Sequence, residues 1–275
     1  MNIYFNPKQE PYNYKNMINW YNNLFIEFID GYLSEVEKEY VFSNKRNASE
    51  RIIYEKLRRN YFYYAFSRNF LKAVRFLFDN KACPCILDLG CGIGTQSLFF
   101  ALSGAKVIAV DLDAQALAIF KKRIVFYEAI FNCKLDITII CENTVEYDYK
   151  MLPKFDGVFS MFAFNMMQPP DKLMGKLIEH MNFDARLAIL DGNNLCWVAK
   201  LLPSRKRNVW SPKQFREYLI ENGFEISLHK GGVVFPYCFW IFKLFNPLVF
   251  LFDVLLRQGN WFFSLSQLIL AKKRR

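Results

Sequence analysis

From Cys85 onward the chain alternates between short β-branched runs and helical patterns, with a regularity that leaves few folds open. "CILDLG", "KVIAVD", "LDITII", "FDGVFSM" and "RLAILDG" read as buried strands. Between them "GTQSLFFALSG", "AQALAIFKKRIVFYEAIF" and "PPDKLMGKLIEHM" read as helices. A crossover helix returns the chain to the same edge of a sheet, so successive strands pair in parallel. The pattern predicts an α/β fold with a doubly wound sheet, whose ligands sit beyond the carboxyl ends of the strands near the point where strand order reverses.

The stretch before Cys85 has a different texture. Residues 1–45 carry an amphipathic patch, "NWYNNLFIEFIDGYLSEVEKEY", whose apolar spacing predicts one or two short helices. Asn47 with Glu50 forms a capping-box pattern, and helical periodicity continues from it to Asp79-Asn80. That helix interleaves cations such as Arg68, Lys72 and Arg75 with aromatics such as Tyr61 and Phe70. Such a face could stack on nucleic acid; the plainer reading packs the aromatics on the next unit and turns the charges to water. The expected division is a helical segment over 1–80 and a ligand-binding domain over 81–275.

Three glycines, Gly90, Gly92 and Gly94, follow the first strand and precede a helix, the context in which a glycine-rich turn carries weight. Missing side chains let the backbone approach a ligand and present amides at the positive end of the helix. A dinucleotide fingerprint needs its third glycine at the sixth position, where Thr95 stands, so the spacing disfavours NAD. Asp88, just before the first glycine, would repel a pyrophosphate and favour a ligand with an ammonium or sulfonium charge.

"LDLGCGIG" resembles motif I of the class I S-adenosylmethionine-dependent methyltransferases, and the resemblance extends over residues 85–275. It implies S-adenosylmethionine as cofactor and a seven-stranded, mostly parallel sheet with an antiparallel last strand, here "FSLSQLILAKK". It implies cofactor contacts from Asp88, Gly90, Cys91, Gly92 and Gly94. Asp111, ending the second strand, would hold the two ribose hydroxyls beside Leu112, while Asp113 caps the next helix. Glu142 and Asn143 would lie near the adenine, Met161 or Phe162 would line the donor pocket, and Asp156 reads as structural. Asn193 and Asn194, after the fifth strand, would face the acceptor. Ser211, Pro212 and Gly223 bound the last helix.

Methyl transfer mainly needs alignment and desolvation, so no dedicated catalytic residue is required. A base would be needed for a hydroxyl acceptor, and the chain has two histidines. His180 ends a helix, where the dipole explains it; His229, read as a loop residue after the sixth strand, is the weak candidate base. Between strands six and seven an insertion at about 233–262 is more apolar than a surface connection should be. Pro236 and Pro247 break it into short helices, with Asn246-Pro247 as a start signal, and strands six and seven must share one sheet; both facts exclude a membrane span. A lid over an apolar acceptor, a helix in a membrane surface and a homodimer contact remain open.

The net charge of +10 suits an anionic partner, whether phospholipid, nucleic acid or substrate. The basic runs Arg205 to Arg207 and Lys272 to Arg275 fit the same class. Seven cysteines, an odd number in apolar context, read as reduced thiols, and Cys83 with Cys85 lacks the further ligands of a metal site. The start of the chain has no secretory pattern, so a cytoplasmic location is expected, with peripheral contact at a membrane left open. The sequence thus points to O-methylation of an apolar or amphipathic small molecule or lipid-linked acceptor. The alternatives are methylation of tRNA or another RNA, and a catalytically inactive binding protein that keeps the fold.

Overall fold

The computed structural model describes residues 14–43, 61–79, 81–196, 210–232, 246–256 and 264–274. The Asn47–Glu50 capping pattern, Arg205 to Arg207 and most of the apolar insertion lie outside them. Seven strands form one sheet: β1 (Cys85–Leu89), β2 (Lys106–Asp111), β3 (Ile137–Cys141), β4 (Phe155–Met161), β5 (Met181–Gly192), β6 (Phe224–Gly231) and β7 (Ser266–Lys273). Their order is β3-β2-β1-β4-β5-β7-β6. Six run parallel, and β7 lies antiparallel between β5 and β6. The expected doubly wound sheet is present, and strand order reverses between β1 and β4.

Helices cover both faces, as strands with two apolar sides require. One face, through Ile86, Val107, Ala109, Phe159, Ala188 and Leu270, meets α1 (Tyr14–Tyr32), α2 (Glu35–Ser43), α3 (Tyr61–Phe78), α4 (Thr95–Leu102) and α5 (Ala114–Phe131). The other, through Leu87, Ile108, Val158, Leu187 and Ile269, meets α6 (Pro170–His180) and α7 (Pro212–Glu221). The eighth helix, α8 (Asn246–Leu256), belongs to the insertion and packs against α3.

Local chemistry sets the element ends. Asp113 caps α5 by accepting from the amides of Gln115 and Ala116. Ser211 and Gln214 form a capping box on α7, and Gly223 follows that helix at φ +80°. Asp156 is structural: it accepts from the Cys85 amide at 2.9 Å and from Asn182 Nδ2 at 2.8 Å, fastening the starts of β1, β4 and β5. α8 begins at the Asn246-Pro247 signal.

The described part of the basic aromatic helix follows the plainer reading. Phe70 on α3 packs edge-on against Phe99 at 5.3 Å and Phe159 at 5.8 Å between centroids. At the far end of α3, Arg186 of β5 donates to the carbonyl oxygens of Phe76 and Asp79 and pairs with the Asp79 carboxylate at 2.7 Å. A cation on the last carbonyls of a helix satisfies groups that have no intrahelical partner. The N-terminal helices therefore share one apolar core with the sheet.

Candidate functional site

The turn after β1 carries Gly90, Gly92 and Gly94 at φ of +72°, +53° and +78°. The amides of Gly90 and Cys91 both donate to the Val110 carbonyl, at 2.8 and 3.2 Å, which folds the turn over the end of β2. Two of the glycines have packing reasons to be bare. A Cβ at Gly90 would stand 2.3 Å from that of Ala163, and one at Gly94 would stand 2.1 Å from the Phe120 ring. At Gly92 a Cβ would meet no protein atom within 4 Å, so neighbouring side chains do not forbid one there. The bareness of Gly92 fits close approach by a molecule from outside.

Asp111 faces this turn from β2. Its Oδ2 accepts from the Gly92 amide at 2.8 Å and its Oδ1 from the Asp113 amide at 2.9 Å. Each carboxylate oxygen keeps a second lone pair. The group is thereby held in orientation and can still accept two hydroxyls, the arrangement a ribose diol needs. Leu112, beside it, is 68% exposed, an apolar surface at the same edge. Gly94 precedes α4 without a side-chain cap, so the positive end of that helix suits an anionic group such as a carboxylate. A nucleoside with a diol and an amino-acid tail fits these residues.

Other expected contacts are placed less directly. Asp88 is buried beneath the turn and accepts from Ser97 Oγ; burial pushes its carboxyl up to about 7. Cys91 is buried, and burial raises its thiol well above the usual value, so it serves as an apolar floor. Glu142 and Asn143 are exposed just past β3, whose last residue, Cys141, is paired with Asp111. The Asn143 side chain accepts from the Val145 amide at 2.9 Å and shapes that loop. Met161 is half-buried at the end of β4.

Two expectations change. Asn193 is buried rather than facing an acceptor; its side chain donates to the Ser264 carbonyl and accepts from the Leu195 amide, because the loop entering β7 must be anchored beside β5. Asn194 is half-buried in the same turn. His229 lies inside β6 and not in a loop, since β6 continues to Gly231 to pair with Gln267. Its Nε2 is 3.1 Å from Gln267 Oε1, and burial lowers its pKa, keeping the ring neutral. Four strand steps separate β6 from β1, about 19 Å at the usual spacing. His180, on the Leu152 carbonyl at 2.7 Å, lies at the opposite, amino edge.

Two features of the site go beyond the sequence reading, although Phe162 was named there for the donor pocket. Arg123 on α5 is fully buried, donates to the Ile93 carbonyl at 2.8 Å and Thr95 Oγ1 at 2.9 Å, and lies 4.6 Å from the Phe25 ring centroid. It joins the glycine turn, α5 and α1. The signal was present: Ala116, Ile119, Phe120, Arg123, Phe126 and Tyr127 are spaced as one buried helical face. The second is an apolar rim beyond β4 and β5, where Phe162, Met166 and Leu195 are 43, 46 and 37% exposed. Phe162 has φ +56°, held by its amide on the Leu190 carbonyl at 2.8 Å.

Comparison with known proteins agrees with this geometry. Residues 86–182 match a methyltransferase domain family. A stretch of 102 residues is 35% identical to the protein named "Probable ribosomal RNA small subunit methyltransferase A" of Methanosphaera stadtmanae, covering 37% of this chain and 32% of that one. The match thus spans about a third of the curated relative. Among solved structures, the fold is shared with magnesium protoporphyrin IX methyltransferase of Synechocystis (TM-score 0.54, 13% identity, 92% of this chain and 97% of that one). It is also shared with an S-adenosylmethionine-dependent methyltransferase of Mesorhizobium loti (0.53, 15%, 74% and 98%). A third is the phosphoethanolamine N-methyltransferase 2 of Haemonchus contortus (0.55, 20%, 76% and 53%). Sheet order and glycine turn agree with the fold of the class I S-adenosylmethionine-dependent methyltransferases, and residues 86–182 carry a methyltransferase domain.

Proposed function

We propose that the protein transfers the methyl group of S-adenosylmethionine to an oxygen of an apolar or amphipathic small molecule or lipid-linked acceptor. The observation that carries the acceptor class is the rim of Phe162, Met166 and Leu195 at the carboxyl ends of β4 and β5, beside the glycine turn. Large apolar side chains exposed together next to a ligand-binding turn mark a binding surface rather than ordinary solvent contact.

The cofactor supplies a methyl carbon already activated by its sulfonium. The chain's part is to hold and align: Asp111 for the ribose, the bare Gly92 backbone and the α4 amides for the amino-acid end, and Met161 with Leu112 for apolar contact. Glu142 stands where it could meet the adenine end. Because both histidines lie far from the turn, an acceptor oxygen that ionises without help, a carboxylate or an acidic phenol, suits the site better than an alcohol. The solved relatives whose names state an acceptor differ among themselves, a porphyrin in one and a phosphoethanolamine in another, so they do not select one here.

RNA is the second reading, supported by the ribosomal RNA methyltransferase relative and the net charge of +10. Both are tested together by incubating the protein with methyl-labelled cofactor and separate lipid, metabolite and RNA extracts. Label in an acid- or phenol-bearing lipid or metabolite is expected. Label only in RNA, with binding that weakens steeply with salt, would replace that reading.

A further inference from the structure

The helix α8 is oriented inside out relative to a surface helix of a water-soluble domain. Leu248, Leu251, Phe252 and Leu255, spaced as one helical stripe, are 52, 52, 46 and 59% exposed, while Asp253 is fully buried. Its inner side rests on α3, whose Arg68 and Lys72 are half-exposed and whose Arg75 is exposed. These three cations recur at i, i+4 and i+7 and so share one face of α3. The insertion leaves β6 after Gly231, opposite Gln267, and returns into β7 at Ser266, opposite Gly192 at the end of β5. It therefore emerges at the carboxyl edge of the sheet, the edge that carries the glycine turn and the Phe162 rim.

We infer that α8 docks the protein on an anionic membrane surface, its leucine and phenylalanine stripe set into the interface and the neighbouring α3 cations against the headgroups. Three observations favour a bilayer over a second protein. The exposed stripe is leucine and phenylalanine, side chains that an interface-lying helix sets into the boundary between headgroups and acyl chains. The cations of α3, the helix on which α8 packs, and the net charge of +10 complement anionic lipid. A helix of 11 residues is about 16 Å long and one helix wide, a small part of the ~800 Å² that each partner gives to a stable dimer. The same helix is too short to cross, and among the described residues no helix is long and apolar enough to span a membrane. Docking would hold the open edge of the site against the lipid phase. It stands on this surface alone, not on the transfer proposed above.

The test is flotation of the full-length protein, without cofactor, with phosphatidylcholine vesicles and with vesicles containing phosphatidylglycerol. Binding to the anionic vesicles, weakened at high salt, is expected. Replacing Leu251→Ser with Leu255→Ser should lower partitioning at least tenfold with an unchanged melting temperature, since both side chains already face solvent. Arg68→Gln with Lys72→Gln should lower it for anionic vesicles only. Failure of the native protein to float, or indifference to the serine pair, would overturn the assignment. So would a concentration-dependent dimer in sedimentation that the serine pair abolishes while vesicles are ignored. Cofactor affinity measured separately by calorimetry keeps loss of docking distinct from loss of the methyl-transfer reading.

Discussion

The amide of Gly92 donates to Asp111 Oδ2 across 2.8 Å, tying the turn after β1 to the acid that ends β2. One bond thus fixes the two groups that the cofactor would meet at its ribose and at its amino-acid tail. Asp111→Ala should weaken cofactor binding by about 1–3 kcal/mol, the range for losing hydrogen bonds to a charged partner. Calorimetry with the demethylated cofactor reads this directly, and unchanged affinity would remove Asp111 from the ribose site.

Gly92 and Gly94 should separate binding from folding. Gly94→Ala sets a methyl group against the Phe120 ring at a positive φ, so a loss of roughly 2–5 kcal/mol of stability is expected. Gly92→Ala meets no protein atom and should cost only the left-handed backbone strain, about 1–2 kcal/mol, while cofactor affinity falls more than tenfold. Equal affinity in Gly92→Ala and the native protein would show that nothing approaches the turn there.

Asp88 makes stability depend on pH in a defined direction. Its folded pKa is raised to about 7 by burial, against roughly 4 in an unfolded chain, so the native state alone keeps the proton between those values. Stability attributable to this group therefore falls as pH rises from about 4 to 7 and is flat above. Asp191, raised by burial to about 6, acts in the same sense, whereas His229, lowered by burial, acts oppositely below about 6.5. Relative to the native protein, Asp88→Asn should be more favourable at pH 8 than at pH 5, by up to about 1.4 kcal/mol per unit within the window. Denaturant midpoints at the two pH values measure this, and a pH-independent difference would refute it.

Arg123 is expected to act through the turn it holds. Arg123→Lys keeps a charge but not the planar guanidinium whose Nη1 donates to both the Ile93 carbonyl and Thr95 Oγ1. A stability loss of about 1–3 kcal/mol is expected, together with weaker cofactor binding. If stability falls and affinity stays, Arg123 is a core residue and no more.

Much of this molecule was readable one residue type at a time. The β-branched runs gave the strands, and the Asp113, Ser211 and Asn246-Pro247 signals mark where α5, α7 and α8 begin. These features are local: strand spacing, caps and turn chemistry act within a few residues, so sequence alone specifies them. The glycine turn and Asp111 were legible for the same reason, each being fixed by its place at the end of a strand.

Where side chains point was not legible. Asn193 turned into the loop before β7, which it anchors at Ser264, and His229 fell four strands from β1, because β7 inserts between β5 and β6. Arg123, which follows two lysines in "KKR", is the buried link between α1 and the turn. Asp253 and the leucines of α8 exchanged the sides that a water-facing helix gives them. Sequence therefore determined the elements and their order. Tertiary packing decided which face of each element meets the core, since burial depends on neighbours distant along the chain.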